Sequence, residues 1–327
     1  TFTWIIERLS FWTFEVAQTS QGEELYISMN SRGEPLTGSE MIKPRLFEKA
    51  RELKCLSASS WGKAWDNWEE LLFLNKTYVG HWGYPVENVS VAMNSFLRTV
   101  IEMETGKSEM IDPSTVASKI NLSILESYFK CLERICEEEK YRGEIRCLYE
   151  NNLPILVLKI MLAALRTGEE EKEVERIYPI IKNWERRGQL KNEGLLKVLY
   201  GFQHQDGQHL GWLDYILSLI KEKEEPVKCE IDGVLDNHEW LKIKRYQEFR
   251  DPELEEAYHS AESNNIMNGH IRAVWDEAFE PGFNWDSEAL KVFKARFEAF
   301  KALFDDRFIM INLKDSPTSG HVDNALI

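Results

Sequence analysis

Paired cysteines, long apolar runs and secretion signals are missing from this sequence. The five cysteines form no Cys-x-x-Cys pair and are odd in number, which argues against a disulfide framework or a zinc site and favours reduced thiols. No apolar run approaches the roughly 20 residues that span a bilayer, and no basic and apolar leader precedes a small-residue cleavage site. We therefore expect a cytoplasmic protein with no membrane partner.

Acidic residues outnumber basic ones. Lys and Arg number 40 against 55 Asp and Glu, so the net charge is −15 at pH 7. Such a surface is well solvated and repels nucleic-acid backbones at long range. Broad DNA binding by this chain would therefore need a local basic face.

The familiar catalytic motifs are absent as well. The sequence contains no His-Glu-x-x-His, no Gly-x-x-x-x-Gly-Lys-Ser/Thr, no Gly-x-Gly-x-x-Gly and no Gly-x-Ser-x-Gly, which are the usual zinc, phosphate-loop and nucleophile patterns. The densest polar cluster is HQDGQH, residues 204–209. Its Gly207 favours a surface turn, and a metal enzyme built on this cluster is the most distant alternative.

What the sequence has in abundance is helical periodicity. Apolar residues recur at steps of three and four, which is typical of one face of an amphipathic helix. We expect these stripes to form the core of the fold. They comprise Trp61, Trp65, Trp68 and Leu72; Val89, Met93, Phe96 and Val100; and Leu290, Phe293, Phe297, Phe300 and Phe304.

Further helices are predicted between these stripes. The pattern indicates helices over residues 114–140, over 152–168 with Pro154 in the first turn and Gly168 as the stop, and over 170–187 with a disturbance at Pro179 and a stop at Gly188. The charged stretch over residues 221–237 predicts a loop or linker between helical blocks.

The N-terminal part is different. Trp12, Phe14 and Val16 alternate in FWTFEVA, which predicts a strand. After a short helix, residues 26–46 (YISMNSRGEPLTGSEMIKPRL) turn a corner, and the pair Thr37 and Glu40 is a capping box that opens the next helix.

The corner has the features of a phosphate site. Gly33 allows a close turn, a helix N-terminus exposes free N–H groups, and Arg32 and Lys43 add positive charge. The alternative is purely structural, with Asn30 capping one helix and Arg32 pairing with a glutamate.

The corner also resembles a known family. The pattern Asn-x-Arg-Gly-x-Pro-Leu-Thr, followed by an acidic residue and Ile-Lys, is similar to the N-terminal domain of the GmrS/GmrD (GmrSD) family of modification-dependent restriction proteins, which has a ParB/sulfiredoxin-like fold. Residues 235–244 and 262–275 resemble later helical segments of long members. The matching residues are Asn30, Arg32, Gly33, Pro35, Leu36, Thr37, Glu40, Ile42 and Lys43.

This resemblance implies a fold class, partners and a set of sites. The expected fold is mainly α, with the remnant of an α+β ParB-like domain at the N-terminus followed by a multi-helix region. The implied partners are modified DNA and a nucleotide, with an NTP and Mg as cofactors of the intact protein, and a homo-oligomer stays open. The implied nucleotide- or phosphate-adjacent residues are Asn30, Arg32, Gly33, Thr37 and Lys43.

The chain departs from the family in its catalytic motifs. No Asp-Gly-Gln-Gln-Arg lies upstream of Asn30 and no His-Asn-His site is present, so whether this chain is itself an enzyme stays open. Pro44 stands where the family has a helix former, and we expect it to bend the helix. We expect the chain to be a fragment that supplies scaffold and helical region to a nucleotide-dependent phage-defence protein.

Three domains are predicted. Residues 1–105 form the end of the GmrS-type domain with its helical extension, residues 106–225 a helical domain, and residues 226–327 a C-terminal helical domain. The main alternative function is a helical interaction scaffold without catalysis, for which the phenylalanine stripe of residues 286–304 would be the partner-binding face.

Overall fold

A computed structural model describes most of the chain from the predicted corner onward. The described residues are 38–53, 58–80, 89–108, 118–150, 154–188, 190–207, 209–219, 231, 234–235, 237–264, 267–271 and 287–303. Within these ranges the chain is helical and contains no β-strand, which confirms the mainly α prediction. The predicted strand at residues 12–16, and with it the expected ParB-like remnant, lies outside the described residues.

Twelve α-helices and one 3₁₀ helix make up the described part of the chain. They are α1 (Gly38–Glu52), α2 (Ala58–Gly80), α3 (Val89–Thr105), α4 (Leu122–Glu137), the 3₁₀ helix Glu139–Ile145, α5 (Arg146–Tyr149), α6 (Leu156–Arg166), α7 (Glu171–Arg186), α8 (Asn192–Gln203), α9 (Trp212–Ser218), α10 (Asn237–Phe249), α11 (Pro252–Glu262) and α12 (Ser287–Leu303). None of these described helices combines the length and apolar character that crossing a membrane requires.

Helix α6 forms the centre of the array. Ten of its eleven residues, Leu156 to Leu165, are buried, and it packs against α4, the 3₁₀ helix, α7 and α8. A helix that is apolar on all sides is stable in water only when it is surrounded by other helices. The sequence LVLKIMLAAL therefore dictates a central position, and the one charged residue inside it, Lys159, must find a partner in the interior.

The tryptophan stripe of α2 is core, as predicted. Trp61, Trp65 and Trp68 expose 2%, 0% and 7% of their surface. Trp68 stacks on Phe129 of α4 with ring centroids 4.5 Å apart, and Phe96 of α3 contacts the same ring at 4.5 Å. Offset and tilted ring pairs add a little to the hydrophobic gain of burial. These contacts fix α2 against α3 and α4.

Helix ends follow the predicted signals in most places. Gly168 and Gly188 have φ of +92° and +67° just after α6 and α7, a conformation that glycine adopts without a Cβ clash. The helix predicted over residues 114–140 is interrupted at Asn121, whose side chain accepts a hydrogen bond from the Ile124 N–H at 2.9 Å and caps α4. The continuous helix was therefore a wrong prediction, because an Asn side chain competes for backbone N–H groups. Pro154 also precedes α6 instead of lying in its first turn.

Among the described helices, α1 and α7 each contain a proline beyond the first turn. Pro44 stands within α1 and Pro179 within α7, and both helices continue past the ring. Proline removes one N–H and one intrahelical hydrogen bond. Leu46 of α1 and Ile180 of α7 follow the prolines closely and are buried, so packing against the rest of the chain holds both helices.

The C-terminal helices dock on the array through α7 and α9. Helix α11 packs on α7, α10 packs on α9, and α12 packs on α11. Within the predicted linker, Ile231 and Leu235 form an antiparallel bridge, and Val234 and Leu235 are buried, so this end of the segment is part of the packed structure. The boundaries at residues 105 and 225 stay predictions.

Candidate functional site

Most residues of the predicted phosphate corner lie outside the described part of the chain. This holds for Asn30, Arg32, Gly33 and Thr37, so their grouping stays a prediction. The structure does describe the helix that follows them. Helix α1 begins at Gly38 and has Glu40 in its first turn, in the register that the Thr37 and Glu40 capping box predicts.

Lys43 is the one described member of the predicted site. Its ammonium lies 3.5 Å from Oδ1 of Asp66 and 5.4 Å from the ring centroid of Trp65, both on α2. The Lys43 side chain is about one-third exposed, and the Asp66 side chain is mostly exposed. Exposed ion pairs contribute little to stability, so this contact leaves Lys43 able to exchange partners.

An open groove runs beside the N-terminus of α1. Its volume is about 460 Å³, and α1, α2 and α3 each contribute to its walls. Glu40, Glu69 and Glu70 line it together with Phe73. Three carboxylates disfavour an anion at this position, although Glu40 itself suits the positive end of the helix. A phosphate bound by the corner would therefore need the positive charges of Arg32 and Lys43 to offset these carboxylates.

The histidine cluster forms a turn. His204 follows α8, its ring stacks on Tyr200, and Gly207 has φ of +93°. His204 and Asp206 are exposed. Across the residues that the structure describes, no group of three or more His, Cys, Asp or Glu side chains could hold a metal ion.

The described thiols are not poised as nucleophiles. Burial raises the pKa of Cys131 to about 11 and that of Cys136 to about 12. Burial also raises the pKa of Cys147, whose Sγ donates to the Glu144 carbonyl. A thiol reacts as its thiolate. These three residues therefore act as small apolar groups of the core.

Sequence reasoning missed a buried network of charges, which we call the ionic junction and define by Asn183, Arg187, Glu239, Lys242 and Glu262. The Lys242 ammonium lies 2.6 Å from one oxygen of Glu239 and also pairs with Glu262. Asn183 donates to both carboxylates at 3.0 and 3.2 Å, and Arg187 pairs with Glu239. The junction joins α7 to α10 and α11.

The charges of the ionic junction balance. Burial works against ionisation of Glu262, yet Lys242 and His259 lower the pKa of its carboxyl below the ordinary value. Burial opposes the charge on Lys242 too, but Glu239 and Glu262 raise the pKa of the ammonium. The two carboxylates of the junction are matched by the lysine and the arginine, with which they form ion pairs, so the junction connects helices without needing a ligand.

The sequence carries only a weak signal of such pairs. Lys159 interrupts an apolar helix and Glu102 interrupts an apolar stripe, and a charge at a core position requires a partner. The two residues are far apart in the chain, and their ammonium and carboxylate lie 2.6 Å apart in the structure. Spacing along the chain reports nothing about such a contact.

Comparison of this chain with protein-family models, with curated protein sequences and with solved structures finds no match.

Proposed function

We propose that this chain is the scaffold and helical region of a GmrSD-like, nucleotide-dependent protein that senses modified DNA and restricts it in phage defence. One observation carries the proposal. The pattern Asn30-x-Arg32-Gly33 leads through Thr37 directly into a helix that begins at Gly38, which is the order of elements that the family resemblance implies.

The positions of the charges support a role beside a nucleotide. Lys43 lies in the second turn of α1, where its ammonium contacts the exposed Asp66 carboxylate and the Trp65 ring, and the N-terminus of the same helix favours phosphate. In the intact protein the catalytic motif would then come from residues that this chain does not contain, with Arg32 and Lys43 neutralising phosphate charge.

The test uses the full-length gene product. Nucleotide hydrolysis and cleavage of modified and plain DNA are measured for the native protein and for Arg32→Ala, with Lys130→Ala as a matched control, since Lys130 is exposed on α4 and pairs with Glu126 in the preceding turn. The proposal expects cleavage restricted to modified DNA, nucleotide hydrolysis reduced at least tenfold by Arg32→Ala, and no change with Lys130→Ala. Absence of both activities from the native product would refute it.

A second function is favoured by a separate surface. Phe73 and Leu74 at the exposed face of α2 show 59% and 62% of their surface to solvent, and an interaction scaffold needs such a face. The phenylalanine stripe of α12 no longer supports this alternative, because Phe293, Phe297 and Phe300 are buried within the chain. The scaffold alternative predicts that Phe73→Ser with Leu74→Ser abolishes a stable complex with a partner while DNA cleavage is absent throughout.

A further inference from the structure

A polar cleft of about 360 Å³ opens between α3, α5, α6 and α8. It lies apart from the α1 groove and from the ionic junction, and no sequence motif pointed to it. Its volume falls in the range of small-molecule pockets, which is roughly 300–1,000 Å³. The cleft is therefore large enough for a compact ligand.

Lys159 and Glu102 form the floor of the cleft. The Lys159 side chain exposes 4% of its surface, and its ammonium donates to Glu102 at 2.6 Å and to Oδ1 of Asn192 at 2.7 Å. Ser108 donates to the other oxygen of Glu102 at 3.1 Å. Two of the three ammonium hydrogens are thus used by the protein, and a lysine ammonium has a third to donate.

Arg98 stands at the mouth of the cleft. It is exposed on α3, one turn before Glu102, and its positive charge contributes to lowering the pKa of Lys159, after the larger effect of burial. In the described part of the chain no carboxylate pairs with Arg98, whereas Glu150 on the opposite wall is occupied by Arg146 at 2.5 Å. After internal pairing, the charge that remains on the walls of the cleft is that of Arg98.

Two helix ends add to this field. Helices α6 and α8 begin in the wall of the cleft, at Leu156 and Asn192, and neither has a side-chain cap. The free N–H groups of a helix N-terminus carry partial positive charge and favour anions. They reinforce Arg98 and the buried ammonium, which face the same space.

From this arrangement we propose that the cleft binds a small phosphate-bearing anion, with Arg98 pairing with the phosphate at the mouth and Lys159 donating its third hydrogen from the floor. A guanidinium binds phosphate in a bidentate manner, and a buried ammonium gains from a nearby anion. The site is independent of the proposed nucleotide corner, since it uses no residue of α1.

The test is a titration of the full chain followed by NMR. Inorganic phosphate and a three-carbon phosphate monoester are added separately at constant ionic strength, with chloride as the reference anion, and the Asn192 side-chain amide and the Lys159 ammonium are observed. We expect saturable shifts at Asn192 and an upward move of the Lys159 pKa. Tighter binding of the monoester would identify an organic phosphate as the ligand, and equal binding would identify free phosphate.

Three variants separate binding from folding. Arg98→Gln removes the mouth charge from an exposed position, and Ser95→Asp places a carboxylate one turn before Arg98, where it pairs with the guanidinium. Both should weaken binding at least tenfold while the folded spectrum is retained. Arg134→Gln, an exposed arginine on α4, should bind as the native chain does. No saturable shift in the native chain, or equal affinity in Arg98→Gln and the native chain, would overturn the proposal.

Discussion

Around α2 aromatic rings fill the interior, whereas at the ionic junction charges occupy a similar depth of burial. Trp65 and Trp68 are joined to Phe129 and Phe96 by ring contacts of 4.5 to 5.8 Å. At the junction, Glu239, Lys242 and Glu262 are each no more than 3% exposed. The first region needs only shape and apolar area, while the second needs every charge to have a partner.

The two regions lose stability in different ways when a side chain is substituted. Shortening an aromatic side chain leaves a cavity, and its cost depends on how far the neighbours relax. Removing one member of a buried ion pair leaves the other charge in the interior, which costs more than the pair itself contributes. The junction is therefore the more fragile region to single substitutions, although a well-packed apolar replacement of the whole network could be tolerated.

The largest effect is expected at Lys242. Lys242→Met removes the cation that pairs with both Glu239 and Glu262 and leaves the two carboxylates buried, and it should lower the free energy of unfolding by about 3–5 kcal/mol. Denaturant unfolding of the full chain measures this value. Lys130→Met on the exposed face of α4 is the matched control and should change the stability by less than about 0.5 kcal/mol. Equal small losses in both variants would show that the junction charges are solvated.

A smaller effect is expected in the aromatic region. Trp68→Leu removes the stacked contact with Phe129 and part of the buried area, and it should cost about 2–3 kcal/mol. No charge is involved, so the loss should be the same at pH 5 and pH 8. Unfolding curves at the two pH values test this, and a loss that changes with pH would mean that Trp68 is coupled to a titrating group.

The smallest effect concerns Glu169, a buried carboxyl with no cation. Burial raises the pKa of this carboxyl to about 6, although the hydrogen bond that it accepts from the Trp212 backbone N–H lowers the pKa in part. One of its oxygens has no hydrogen-bond partner among the described residues. A folded-state pKa above the unfolded value near 4.5 means that the stabilising contribution is complete below that value and is lost as the pH rises through 6.

The measurement for Glu169 is the pH dependence of stability between pH 4.5 and 7. Glu169→Gln keeps an acceptor for the Trp212 N–H and does not ionise, so it should become more stable than the native chain by about 1–2 kcal/mol at pH 7 and lose this advantage near pH 4.5. Glu170→Gln, next to it and exposed, is the control. An unchanged difference across this range would place the Glu169 carboxylate in solvent. Glu262, which has cations beside it, shows the opposite direction of pKa shift.

The sequence predicts the parts of the fold that depend on neighbours in the chain. The spacing of Trp61, Trp65 and Trp68 marks a buried helix face, and Gly168 and Gly188 mark helix ends, since these signals act within one or two turns. The interruption at Asn121 was not predicted, because an Asn inside a helical pattern becomes a cap only when the preceding turn is held elsewhere. The helix start at Gly38 after Thr37 followed the capping signal.

The candidate sites also divide into one that local sequence predicts and others that it does not. The phosphate corner was found from a local motif, of which the structure describes Lys43. The cleft above Lys159 and the ionic junction could not be predicted, because their members come from four and three helices respectively.

By itself, the sequence determined that this chain is a helical protein with aromatic stripes in its core, an acidic surface and a glycine- and proline-rich corner before α1. Only the tertiary structure decided which buried charges form ion pairs, that Arg98 and Lys159 face one cleft, and that the α12 phenylalanines are covered by the chain. The physical reason is range. Helix propensity, capping and amphipathic spacing act over a few residues, whereas charge pairing and cavity shape depend on groups that meet only after the helices have packed.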